Sequence, residues 1–271
     1  MRELFKAMLL VACLLNAYFA VTYAGRILQS RSARGNKTVS VIFVGDISFD
    51  GPVKYFAEKN KTCDYKKPFD KVRRFLAQAD LRVANLESPL VPTGKTSDIT
   101  LGRKTIHHFG SAKAVEGLKY AGFDIVKLAN NHYSDLGSKG MKSTKAVLKK
   151  AGIAYVGAMT KGWKKKGQVP VVKEINGISL GFLAYCQQKE GCERFHPRGP
   201  AVFDRVLARK EIAALKKRAD IIIVMLHWGQ ELFPVPTKGI RDVAASLRLL
   251  GADLIIGDHP HVVQVTSNYS C

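Results

Sequence analysis

The most constraining feature of this chain is a set of short apolar runs, rich in β-branched residues, each stopping at or close to polar residues. Val39 to Val44 stops at Gly45 and Asp46, and Leu81 to Ala84 stops at Asn85. Ile125 to Leu128 stops just short of Asn130 and Asn131, Ile221 to Leu226 at His227, and Leu254 to Ile256 close to His259. Apolar runs this short, bounded by turn residues, read as buried strands. Between them, helices are expected from Phe69 to Ala79 after Pro68, Ala112 to Ala121, Lys139 to Ala151 and Lys238 to Leu250. The last three precede Gly122, Gly152 and Gly251, and glycine there is a stop signal. Strands alternating with helices imply βαβ units. One segment breaks the alternation: Val169 to Ile175 and Ile178 to Tyr185 flank Asn176-Gly177, the strongest short-range hairpin signal. The sheet is therefore mixed, or there are two packed sheets with helices outside.

At 271 residues and 46% apolar, the chain can bury a substantial core, read here as one large α/β domain over residues 39–271. Residues 1–24 read as a signal peptide or signal anchor. Arg2 and Lys6 precede an apolar stretch from Met8 to Val21, with Ala24 at a candidate cleavage point. Residues 25–38 form a basic linker. The domain is therefore expected outside the cytoplasm, secreted or anchored to a membrane. Removal of the signal takes Cys13 with it and leaves Cys63, Cys186, Cys192 and Cys271, of which Cys186 and Cys192 are the first pair to test for a disulfide. Tripeptides beginning at Asn36, Asn60 and Asn268 fit the N-glycosylation pattern, which matters only in a eukaryotic source. The 43 Lys and Arg against 22 Asp and Glu give a net charge of +21. Such a field attracts an anionic polymer, nucleic acid or an anionic membrane surface, and equally describes a solvated basic surface. No nucleic-acid-binding module is recognised, and the export signal argues against an intracellular duplex partner.

The chemistry lies where the polar residues fall. In open α/β sheets the loops at the carboxyl ends of strands line the ligand crevice, so residues remote in sequence meet there. Taken singly, each residue has a plain explanation. Asp46 suits a turn or helix cap, Asn130 and Asn131 a loop, His227 a core histidine, and His259 packing beside Pro260. Taken together, five strand ends with ligand chemistry imply one shared site. Carboxylate, amide and imidazole donors suit a divalent transition metal better than calcium or magnesium. Six candidate ligands suffice for two ions around a bridging carboxylate, the arrangement that clamps phosphoryl-type displacements.

Five motifs, in order, carry a resemblance: Val-Gly-Asp-Ile-Ser at 44–48, Ala-Asn-Leu-Glu-Ser-Pro-Leu at 84–90, Leu-Ala-Asn-Asn-His-Tyr-Ser-Asp-Leu-Gly at 128–137, Leu-His-Trp-Gly-Gln-Glu at 226–231, and Gly-Ala-Asp-Leu-Ile-Ile-Gly-Asp-His-Pro-His-Val-Val-Gln at 251–264. From Val39 to Val265 the chain resembles the capsule synthesis CapA family (poly-gamma-glutamate biosynthesis) of the calcineurin-like metallophosphatase superfamily. The resemblance implies a four-layer α/β/β/α sandwich with mixed sheets and a metal site at one edge. It implies Asp46, Glu87, Asn131, His227, His259 and His261 as metal ligands, with Glu87 bridging two ions of Mn, Zn or Fe. It also implies His132 as general acid, and Asn85 as a supporting or substrate contact, beside Asn130. Three departures stand out: Ser48 replaces a ligand histidine, Asn-Leu-Glu replaces an aspartate motif, and Asp258 precedes His259 as a candidate partner for a ligating imidazole. The resemblance also implies a further strand pair beyond the position of Cys271, so either a fragment or a variant with an incomplete sheet is expected. Two functions follow: a metal-dependent hydrolase acting on a phosphoester or anionic polymer, or a noncatalytic accessory protein that holds a polyanion for synthesis or export.

Overall fold

The computed structural model describes residues 37–59, 64–92, 106–160, 167–188, 190–192 and 199–265. The expected signal segment, nearly all of the basic linker, the tripeptide starts at Asn36, Asn60 and Asn268, and Cys13, Cys63 and Cys271 lie outside the described residues.

The first half of the chain builds one sheet from β1 (Val41–Ile47), β2 (Leu81–Leu86), β5 (Ile125–Lys127) and β6 (Ala154–Val156), all parallel and in the order β1-β2-β5-β6. A two-stranded ribbon, β3 (Leu90–Val91) with β4 (Gly110–Ser111), lies apart from it. The second sheet runs β10-β9-β8-β7, from β7 (Val171–Ile175), β8 (Ile178–Cys186), β9 (Ile221–His227) and β10 (Leu254–Asp258). There β8, β9 and β10 are parallel and β7 pairs antiparallel with β8. The hairpin forms where expected, because Asn176 (φ 53°) and Gly177 (φ 72°) supply the two left-handed residues of a tight turn that matches strand twist.

Side-chain alternation divides these strands between three apolar layers. Phe43, Val83 and Ile125 of the first sheet meet Phe182, Ala184, Ile223 and Met225 of the second. The opposite face of the second sheet, Ile222, Val224 and Leu226, packs with Ile212, Leu215 and Leu247 of the outer helices. On the far side, Ile42 and Val126 pack with Leu118 and Leu148. Among the described residues the helices are α1 (Gly51–Lys59), α2 (Arg73–Leu76), α3 (Val115–Ala121), α4 (Gly137–Lys150), α5 (Arg205–Leu215) and α6 (Lys238–Leu250). The result is the expected α/β/β/α sandwich with one mixed sheet.

Several expectations need correction. The helix from Phe69 to Ala79 shrinks to a 3-10 turn at Lys67–Phe69 and the single turn of α2. Its N–H groups repeatedly bond three residues back, as from Val72 to Phe69 and from Ala79 to Leu76, and no side chain caps its start. The helix from Ala112 begins as a 3-10 turn before α3, capped by Ser111. Asp46 and Asn85 are strand residues, paired with each other, and a register shift between Phe43 and Asp46 re-aims the end of β1. Strand β6 and helices α1 and α5 were not anticipated. The Asp204 carboxylate caps α5 by accepting from Val206 and Leu207, a signal that was present in the sequence.

Candidate metal centre

The carboxyl ends of β1, β2, β9 and β10 place their polar residues side by side. Asp46 is 5% exposed, Glu87 4%, His259 6% and His227 fully buried. Asp46 accepts from the Asn85 amide at 2.7 Å and from the backbone N–H of His259 at 3.1 Å, a bond that ties the two sheets together at the site. Nδ1 of His261 lies 3.3 Å from Asp46 Oδ2. His259 (φ 94°) and His261 (φ 55°) both take backbone conformations unfavourable for a side chain of their size. Each such residue costs on the order of 1–3 kcal/mol, which locates stored strain at this loop. Leu232 N–H bonds Pro260 O at 2.7 Å and helps hold the bend.

His227 is the centre of the cluster. Its Nδ1 lies 2.6 Å from Asp258 Oδ1, which also accepts from the ammonium of Lys127. With the proton of Nδ1 donated to Asp258, the lone pair of Nε2 faces Asn131 Oδ1 at 2.9 Å, His259 Nδ1 at 3.1 Å and Glu87 Oε1 at 3.4 Å. Burial, reinforced by the Lys127 charge, pushes His227 well below the usual imidazole range and keeps it neutral. Burial next to Asp46 and Asp258 holds Glu87 well above the usual carboxylate range. Burial likewise raises Asp258, against the opposing pull of Lys127.

Two sets of donor atoms, Asp46 with Glu87 and His227, and Glu87 with His259 and His261, each fall within 4.8 Å of one another, and Glu87 belongs to both. Ligands about 2.1 Å from an ion stand roughly 3.0–3.4 Å apart, the spacing seen around His227 Nε2. The residues present therefore fit a metal, and Glu87 is common to both sets. Ser48 Oγ, two residues beyond Asp46, is buried without a hydrogen-bond partner.

The remaining expected residues take supporting places. Asn130 donates to Asn85 Oδ1 at 3.0 Å and to Leu86 O at 2.8 Å, and accepts from the backbone N–H of His132, so it braces Asn85 and the 130–132 loop. Asp258 partners the His227 imidazole, as its place in the last motif suggested. His132 sits beside the cluster with Nδ1 2.6 Å from Asp135 Oδ2. Cys186 and Cys192 form a disulfide, and the loop it closes brings Gly191 so close to Asn131 that an added Cβ would collide with its carbonyl oxygen. Lys127 was missed. It is fully buried, and its one sequence signal is a charge interrupting the run Ile125 to Leu128.

A four-layer α/β/β/α sandwich with a His, Asp and Glu cluster at its strand ends is a metallophosphatase-like fold. Within that class, the profile described as bacterial capsule synthesis protein PGA_cap matches residues 40–270, and the chain belongs to that family. It is 32% identical to the capsule biosynthesis protein CapA of Bacillus anthracis over 237 residues, covering 85% of this chain and 56% of the relative. It is 29% identical to the PGA biosynthesis protein CapA of Bacillus subtilis, covering 93% of this chain and 65% of the relative. The chain thus spans little more than half to two thirds of these curated relatives. Among solved structures, a hypothetical protein from Thermus thermophilus superposes with a TM-score of 0.50 at 16% identity over 82% of this chain and 68% of that one, a likeness of fold.

Proposed function

We propose that the protein is a metal-dependent hydrolase of capsule or poly-gamma-glutamate synthesis, acting outside the cytoplasm on a phosphoester or a bond in an anionic polymer. The observation that carries this reading is His227 Nε2, whose lone pair faces an amide oxygen, a carboxylate oxygen and a second imidazole nitrogen at 2.9–3.4 Å. Such a donor set is stabilised by a cation between its members. Asp46, Asn131, His227, His259 and His261 would hold two ions of Mn, Zn or Fe, with Glu87 between them. Ions bound there supply Lewis acidity and a lowered pKa for water. The chain's own part is orientation and proton handling. Asn85 aligns Asp46, Asp258 and Lys127 fix the proton of His227 on Nδ1, and Asp135 fixes the ring of His132. His132 would deliver a proton to the leaving oxygen, a role worth about 10²–10⁴ in rate.

The test is manganese binding together with hydrolysis of bis(p-nitrophenyl) phosphate by wild type, Asp46→Ala and His261→Ala. Loss of bound metal and at least a ~100-fold drop in turnover is the expected result. Activity unchanged in both variants would sink the hydrolase reading.

The net charge of +21 favours a second reading, a noncatalytic protein that holds an anionic polymer on its basic surface and uses the metal centre as structural support.

A further inference from the structure

Beside the metal centre, His108 and Asp50 are not used by the chemistry proposed above. His108, just before β4, sets its ring against that of His132 with centroids 4.1 Å apart and planes at 61°. Its Nδ1 lies 3.1 Å from Asp50 Oδ2. Asp135 Oδ2 accepts the backbone N–H of His108 at 2.7 Å and also partners Nδ1 of His132 at 2.6 Å. Each imidazole therefore has a carboxylate behind Nδ1, and the carboxylate that orients one ring also positions the backbone carrying the other. Asp135 is 1% exposed, whereas the side chains of Asp50 and His108 are 22% and 35% exposed, so the imidazole of His108 is the outer member of the group.

Two carboxylates beside two imidazoles suggest a cation site or an anion site, and the geometry chooses between them. Both carboxylates are engaged by imidazole nitrogens and backbone N–H groups. The metal-ligand groupings among the described residues involve only Asp46, Glu87, His227, His259 and His261. Burial pushes the Asp50 carboxyl up, but the bonds from His108 and Gly51 outweigh it and hold the group below its ordinary range. Lys54 adds a positive charge close by, its ammonium 3.8 Å above the Phe109 ring. With a carboxylate behind Nδ1, the outer nitrogen Nε2 is the one left to face a ligand, and a protonated imidazole meets an anion there by a charge-assisted hydrogen bond.

We propose that His108, backed by Asp50, is an anion-binding residue of this site that acts beside His132 to hold a phosphoryl or carboxylate oxygen of the substrate. The placement of the reacting centre rests on the metal-centre reading; the anion contact does not. A residue that only packed against His132 would need a ring and no nitrogen, so His108→Phe separates the two roles.

The experiment titrates the full chain, with and without Mn²⁺, using inorganic phosphate as the probe in a calorimeter. In His108→Phe the phosphate Kd should rise about tenfold, the loss of one charge-assisted hydrogen bond, while the Mn²⁺ Kd is unchanged. Asp50→Asn should weaken phosphate in the same direction by less, and should add little to His108→Phe. Unchanged phosphate binding in His108→Phe overturns the proposal, as does a parallel loss of Mn²⁺ affinity, which would mark a purely structural residue. A wild type that binds Mn²⁺ but no phosphate refutes the anion contact and leaves the metal reading standing. A wild type that binds no Mn²⁺ refutes the metal reading, and phosphate binding by the metal-free chain then decides the role of His108.

Discussion

At the residue scale, what the sequence offered was a set of candidate donors, because a carboxylate, amide or imidazole at the end of an apolar strand is conspicuous. Asp46, Glu87, Asn131, His227, His259 and His261 were all legible in this way. Lys127 and His108 were not, for different reasons. A lysine at a strand end ordinarily reads as solvated, since its long stem can carry the charge out to water, and only the structure shows that Lys127 ends on a buried carboxylate. His108 belongs to no motif, and its partner Asp50 is 58 residues away in sequence. The Lys127 contact leads to a definite expectation. Lys127→Met strands the Asp258 charge in the core and should cost about 3–5 kcal/mol, measured by urea unfolding of the metal-free protein. Lys127→Met with Asp258→Asn should recover much of that loss, because a neutral amide replaces the uncompensated carboxylate. Equal stability of the double variant and of Lys127→Met would show that the ion pair is not what holds His227.

At the element scale, strands were read more reliably than helices. The β-branched runs and the Asn176-Gly177 turn are local signals, and local chemistry determined the outcome. The helix predicted from Phe69 fails because burial of Phe69, Leu76 and Ala79 is satisfied by tight 3-10 turns, so apolar spacing alone did not ensure a regular helix. The ends of β1 and β2 ran past their apolar runs because pairing between Asp46 and Asn85 continues into the site. The loop closed by Cys186 and Cys192 joins two functional neighbours: Cys186 pairs with His227 across the sheet, and Ser134 Oγ donates to Gly191 O at 3.2 Å. Cys192→Ser should therefore lower stability by about 2 kcal/mol, the loop-closure value for so short a ring, and also weaken Mn²⁺ binding by loosening the loop against Asn131. A guanidinium melt and a Mn²⁺ titration check the two effects separately. Loss of stability with unchanged metal affinity would confine the disulfide to a structural role.

At the scale of the whole molecule, two sheets contribute to one centre, and neither sheet alone contains it. Asp46, Glu87 and Asn131 come from the first half of the chain and His227, His259 and His261 from the second, which is why sequence order gave the motifs but not their contacts. Net charge is a property of this scale too. If the basic surface holds an anionic polymer, binding to poly-gamma-glutamate should weaken steeply between low and high salt and should survive Asp46→Ala. Salt-independent binding, or none, would count against the accessory reading. The central claim of the proposed function is that Glu87 would stand between two metal positions, one shared with Asp46 and His227 and the other with His259 and His261. Crystals grown with Mn²⁺ and measured at the manganese absorption edge test it directly. The account predicts two anomalous peaks flanking Glu87, one against Asp46 and His227 and the other against His259 and His261. An anomalous map with no peak beside Glu87 would contradict it.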